Sequence, residues 1–97
     1  MTASSPSVPP VQHNLADHRF EVRIGEHLAV AEYELSGDRA IFTHTFVPPE
    51  LRGRGLAEIV VRAGLEWARS EKRKVDPQCS YVAAFIERHP EFRALVG

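Results

Sequence analysis

The sequence predicts an α+β domain with an α/β-like second half. Three observations carry that reading: strand-like alternation early, a long amphipathic helical repeat later, and Pro and Gly residues that separate the elements. Phe20, Val22 and Ile24 fall on one side of an extended chain, with Glu21 and Arg23 on the other, and residues 28–35 repeat a looser alternation. Gly25-Glu26 between these runs suits a tight hairpin turn. Ser36-Gly37-Asp38 marks the next turn, and residues 40–47 form a β-branched and aromatic run, apolar on both faces, that fits a central strand. Pro48-Pro49 ends it, because neither residue donates to a ladder. From Gly55 onward Leu56, Ile59, Val60, Ala63, Trp67 and Ala68 recur at helical spacing, with Glu58, Arg62, Glu66 and Arg69 opposite. Glu58 and Arg62 are spaced as a favourable i,i+4 pair, and Lys72-Arg73-Lys74 stands where a helix dipole attracts cations. Val75 starts a very short strand that Pro77 stops. Ser80 is the expected cap of a second helix burying Val82, Phe85 and Ile86, and Pro90 breaks that helix before a last turn with Phe92, Leu95 and Val96.

Composition narrows the class. With 97 residues, 26% charged and 43% hydrophobic, the chain suits one small domain with one shared core. Residues 1–14 hold three prolines and only isolated apolar residues, so a tail without fixed structure is expected there, with a single domain over 15–97. A formal net charge of -1 argues against a partner held mainly through phosphate neutralisation, and no nucleic-acid partner is expected. Cys79 is the only cysteine, which excludes an intramolecular disulfide framework. The chain shows no apolar run long enough to span a bilayer and no signal-peptide pattern at its start, so no membrane partner is expected and the location reads as cytoplasmic. No metal-ligand spacing is present, and no metal is expected.

The most informative stretch is Val47-Pro48-Pro49-Glu50-Leu51-Arg52-Gly53-Arg54-Gly55-Leu56-Ala57, between the third strand and the main helix. It offers no Ser, Thr, Asp or Asn as a cap. Gly53 and Gly55 instead permit a tight backbone turn and close approach of a ligand, so that the free N–H groups of the first helical turn converge on an anion. The helix dipole and the Arg52 and Arg54 guanidiniums add to the attraction, and together they suit a diphosphate. The spacing matches neither the G-x-x-x-x-G-K-[ST] loop of nucleoside triphosphatases nor the G-x-G-x-x-G turn of dinucleotide folds. An ordinary glycine turn with exposed arginines is the plain alternative.

The run Arg52-Gly53-Arg54-Gly55-Leu56-Ala57 resembles the R-x-x-G-x-[GA] motif of the GNAT-type N-acetyltransferases. The likeness is closer still to the minimal, single-domain branch of that superfamily, the small GNAT-like or NATD-type family. It rests on His44-Thr45, on Val47-Pro48 with Leu51-Arg52-Gly53-Arg54-Gly55, on Pro77 with Cys79-Ser80-Tyr81-Val82, and on Ile86 with Arg88-His89-Pro90-Glu91-Phe92, and it spans roughly residues 18–96. The resemblance implies a small GNAT fold: a half-open, mixed, mostly antiparallel sheet flanked by helices. Acetyl-CoA would lie at a splay between the central strand and its neighbour. It implies acetyl transfer from acetyl-CoA to an amine acceptor, a small molecule or a protein. Unlike larger GNAT enzymes, the chain ends soon after its second helix, without the strand pair that helps wall the acceptor groove, so the acceptor stays open.

Within that resemblance Val47, Arg52, Gly53, Arg54, Gly55, Leu56, Ala57 and Tyr81 are the expected cofactor-binding residues, and Cys79 and His44 the expected catalytic pair. A thiol beside a helix N-terminus favours thiolate, and Cys79 reads either as a nucleophile toward the acetyl thioester or as an acid for the departing CoA. A buried packing cysteine is the alternative. His44, expected on the same face as Phe42 and Phe46, reads as a general base or as a histidine satisfied within the sheet. Tyr81 reads as a contact to the pantetheine arm or as core packing, while His13, His18 and His27 look incidental and His89 suits a helix end. A CoA-binding module without transferase activity, acting through a protein partner, is the second functional reading.

Overall fold

The computed structural model describes residues 10–97. Strands β1 (Gln12–Asn14), β2 (Arg19–Ile24), β3 (His27–Ser36) and β4 (Arg39–Phe46) form an antiparallel meander, and β5 (Lys74–Pro77) joins β4 in parallel to complete a mixed sheet in the order β1-β2-β3-β4-β5. Helix α1 (Leu56–Ser70) is the β4–β5 crossover, and α2 (Ser80–Arg88) follows β5. Short 3₁₀ segments, Pro49–Leu51 and Pro90–Leu95, precede α1 and follow α2. This is the expected α+β order. Among the described residues no helix is long and apolar enough to cross a membrane.

Register explains which residues reach the core. Phe20 pairs with Ala31, Val22 with Ala29, and Tyr33 with Phe42, and all six are buried on the face that α1 covers. Gly64 makes that approach possible, because a Cβ there would lie 2.7 Å from the Phe42 ring and 3.3 Å from Phe20. Beside α1, Val82, Phe85, Ile86 and Phe92 join the same cluster. Val96 adds an isolated bridge to Val75, so the last turn is tied to the sheet edge.

Three local expectations are corrected. Residues 12–14 form β1 rather than tail, because His13 stacks on Phe20 at 4.0 Å, packs edge-on to Trp67 and shares a 2.6 Å hydrogen bond with the Tyr33 hydroxyl. His13 is therefore structural, and the tail expected before it lies, for residues 1–9, outside the described residues. Glu58 and Arg62 do not pair with each other. Glu58 reaches His89 at 3.6 Å, and Arg62 reaches Glu91 at 3.9 Å with its guanidinium over Phe85, so both side chains join α1 to its neighbour. Ser80 is the first residue of α2 and not its cap, a position held by Cys79. Arg73 turns inward, stacking over Trp67 and donating to the Gly37 carbonyl at 3.2 Å, which pins the end of α1 to the β3–β4 hairpin.

Two consequences are measurable. Gly64→Val forces two methyl groups against a fully buried ring and is expected to cost about 2 kcal/mol in urea unfolding, as overpacking does. His13 is held below the usual histidine pKa chiefly by burial and next by His18, with Glu71 acting in the opposite sense. The unfolded chain therefore binds more protons between that lowered value and about 6.5, so this contribution to stability is present above pH of about 6.5 and is lost as pH falls through the window. The urea midpoint should fall on acidification, and His13→Phe, which keeps a ring on Phe20, should flatten the fall.

Candidate active site

The site begins where two strands part. β5 pairs with β4 only from Arg39↔Lys74 to Phe42↔Pro77. Pro77 brings no N–H to the ladder, and the Phe42 carbonyl instead accepts from the N–H of Cys79 at 2.9 Å. Beyond Phe42 the β5-facing edge of β4 has no strand partner among the described residues, and the first turn of α2 faces the gap.

At the far end of β4 a cleft of about 190 Å3 is bounded by Val47 and Leu51 on one side, the turn bearing Arg52, Gly53 and Gly55 below, the first residues of α1, and Tyr81 of α2 across from them. Gly53 and Gly55 have φ of 84° and 74°, the left-handed region that a side chain disfavours. Gly55 is the N-cap of α1 and no side chain caps that end, which leaves the N–H groups of Leu56, Ala57 and Glu58 without intrahelical partners at the cleft wall. The turn has room beside these donors, since a Cβ on either glycine would meet nothing within 4 Å, and converging N–H groups of this kind suit an anion. Arg52 donates from Nε to the Val47 carbonyl at 3.0 Å, closing the loop and leaving its other N–H groups free for an anion. Arg54 is exposed and does not line the cleft. The other seven residues expected to bind cofactor are all on its wall: Val47, Arg52, Gly53, Gly55, Leu56, Ala57 and Tyr81.

Cys79 stands two residues before Tyr81, half-buried at the N-cap of α2. Its Sγ lies 3.4 Å from Oγ1 of Thr45. Burial alone would push the thiol up, but hydrogen bonding by the Thr45 hydroxyl and by the N–H groups of Val82, Tyr81 and Thr45 outweighs it and holds the thiol below the ordinary cysteine range. The N–H groups of α2 face the sulfur without closing a full capping bond.

His44 is not beside Cys79. Consecutive residues Glu32 and Tyr33 of β3 pair with His44 and Phe42, so Thr43 is an extra residue, a bulge that reverses the alternation of β4. His44 and Phe46 consequently share the uncovered face of the sheet, their rings nearly parallel with centroids 6.3 Å apart, and Phe46 is 44% exposed. The expectation that His44 shares the face of Phe42 is thus corrected, and direct proton exchange between His44 and Cys79 has no path across the strand. Thr45, which sequence reasoning passed over, takes the helix-side position instead. His89 caps the end of α2 as expected, with Nδ1 2.8 Å from the Phe85 carbonyl.

A small mixed sheet opened between two parallel strands, with an uncapped, arginine-bearing glycine turn feeding the crossover helix at the opening, is the architecture of the GNAT-type acyltransferases. The comparisons make the assignment specific. The chain matches the GCN5-related N-acetyl-transferase family over residues 19–95 and belongs to it. It is 34% identical over 97 aligned residues to Protein NATD1 of Bos taurus, covering 91% of this chain and 86% of that one. It is 35% identical over 83 residues to Protein NATD1 of Homo sapiens, covering 82% and 74%. Its fold is similar to the solution structure of a GCN5-like protein from Staphylococcus aureus, with a TM-score of 0.73 and 22% identity over 95% of this chain and 91% of that one.

The cradle's dependence on backbone conformation is testable apart from any ligand. Gly55→Ala should lose about 1 kcal/mol or slightly more in urea unfolding and Gly55→Asn less, because the added atoms meet nothing and only the left-handed conformation is at stake.

Proposed function

We propose that the protein transfers the acetyl group of acetyl-CoA to an amine acceptor through a covalent acetyl-Cys79. The observation that carries this reading is the adjacency of the anion cradle and the lowered-pKa thiol, at opposite ends of one short gap in the sheet and joined by Tyr81. Acetyl-CoA would supply an activated thioester on a long arm ending in a diphosphate. The N–H groups of Leu56, Ala57 and Glu58, with Arg52, hold the diphosphate, and Glu58 keeps its own charge turned toward His89 at 3.6 Å. Gly53 and Gly55 keep the turn open, and Val47 and Tyr81 flank the arm as it enters along the free edge of β4. A wholly passive CoA module would not need a thiol held below its ordinary range at the end of that path.

In the first half-reaction the Cys79 thiolate attacks the thioester carbonyl. The new S–C bond forms as the bond to the CoA sulfur breaks, and CoA leaves as the thiolate. In the second, the amine nitrogen attacks acetyl-Cys79, the Cys79 S–C bond breaks, and the amine proton passes to the departing Cys79 sulfur, because His44 lies on the opposite face of the sheet. A lowered thiol pKa supports the nucleophile over the acid, since an acid must arrive protonated.

Intact-protein mass spectrometry after exposure to acetyl-CoA, with calorimetric titration of CoA, tests the reading. Wild type should bind CoA and gain one acetyl group, and Cys79→Ala should bind without gaining it. Gly55→Glu should bind CoA at least about tenfold more weakly than Gly55→Asn, as a carboxylate placed against a diphosphate demands. Absence of CoA binding would overturn the whole reading, and undiminished turnover by Cys79→Ala would overturn the covalent step.

A further inference from the structure

We propose that Thr45 is the positioning residue that sets the reactivity of Cys79, and that the bulge at Thr43 is what turns Thr45, rather than His44, toward the thiol. Strict alternation from Phe42 would put residues 44 and 46 on the helix side and residue 45 on the open side. The pairing shows the reverse: Thr45 stands opposite Ala31, which is wholly buried under α1, whereas His44 stands opposite Glu32 on the uncovered face. Thr43 fixes the irregularity, its hydroxyl donating to the Glu32 carbonyl at 3.5 Å. The thiol end is equally constrained. The Cys79 N–H is bonded to the Phe42 carbonyl at 2.9 Å, and the Cys79 carbonyl accepts the N–H of Ala83 at 3.0 Å, so the backbone bearing the sulfur is tied to both β4 and α2. Only the sulfur's own partner is left to choose, and Thr45 Oγ1 at 3.4 Å is that partner.

The chemistry follows from the type of group. A hydroxyl can donate to a thiolate or accept from a thiol, so it holds Sγ in one orientation in both states without itself titrating. A histidine in the same place would ionise near neutrality and make the thiol's reactivity follow the imidazole's charge. Thr45 gives Cys79 a fixed donor. The inference rests on the covalent reading for its catalytic meaning, but its test needs no acetyl-CoA.

Cys79 is the only cysteine, so the rate of iodoacetamide alkylation as a function of pH reports this sulfur alone. Thr45→Val removes the hydroxyl at nearly constant shape. For each unit by which the thiol pKa rises, thiolate falls tenfold while its nucleophilicity gains about threefold, so alkylation below the pKa should slow by about threefold. Above the pKa, where the thiol is fully ionised, the variant should react about threefold faster, and the two profiles should cross. Thr45→Ser should restore the wild-type profile. Loosened packing alone would speed alkylation at every pH and give no crossing. If Thr45→Val does not fold, Thr45→Ala applies the same test with less crowding. Parallel profiles, or a profile that moves with His44→Gln and not with Thr45→Val, would overturn the inference. A crossing profile in a protein that gains no acetyl group would instead overturn the covalent reading and leave Thr45 in its role.

Discussion

β5 accompanies β4 for only four residue pairs, and the arrangement of the site depends on that early parting. A parallel ladder continues only while both strands supply N–H and C=O groups in step, and Pro77 at its last pair supplies no N–H. The carbonyl that would have fed the ladder onward, that of Phe42, takes the N–H of Cys79 instead. A strand is thereby exchanged for a helix start at one residue. The gap, the exposed edge of β4 and the placement of the thiol are three aspects of the same backbone event. A longer β5 would fill the edge with its own main chain.

The gap needs stiff walls, and their stiffness comes from packing on the covered face. α1 sits close to the sheet because Gly64 lets the Phe42 ring reach its backbone, so the helix whose N-terminus forms the cradle rests on the strand that forms the gap. Arg62 stacks between α1 and the Phe85 and Phe92 rings, and Arg73 anchors the other end of the helix to the β3–β4 hairpin. These contacts bury aromatic area and desolvate guanidinium faces, which stabilises more than an exposed ion pair would. The exposed pairs around them, such as Arg93 with Glu87 at 3.7 Å, are of the weaker kind.

What periodicity reports about the chain is which side chains are buried, and here it served well for α1, for the early strands and for the apolar face of α2. The turn at residues 52–57 was also legible, because two glycines, two arginines and no capping residue ahead of a strong helix have few physical explanations. Two kinds of fact stayed hidden. β1 is three residues long and is held by one histidine's stacking and hydrogen bond, neither of which leaves a repeat to read. The face of His44 depends on a one-residue bulge, and no residue type in Thr43-His44-Thr45 announces it. A single slipped register reverses every side chain beyond it, so the sequence offered His44 where the fold presents Thr45.

The local rules that this chain breaks fall in one place. α1 opens without a capping side chain, at a cost of about a few tenths of a kcal/mol relative to a Ser or Asp cap, and through two left-handed glycines that are unusually free in the unfolded chain. α2 has a cysteine where Ser, Thr, Asp or Asn would serve better, β4 carries a bulge, and β5 stops at a proline. Each departure weakens an element taken alone. Each also leaves a polar group unpaired or redirected toward the gap: the first N–H groups of α1, the Sγ of Cys79, the hydroxyl of Thr45 and the free edge of β4. A fold selected only for stability would have little reason to gather four such departures around one opening. Their coincidence, against an otherwise consistent core, is a physical argument for function that owes nothing to the identity of the relatives.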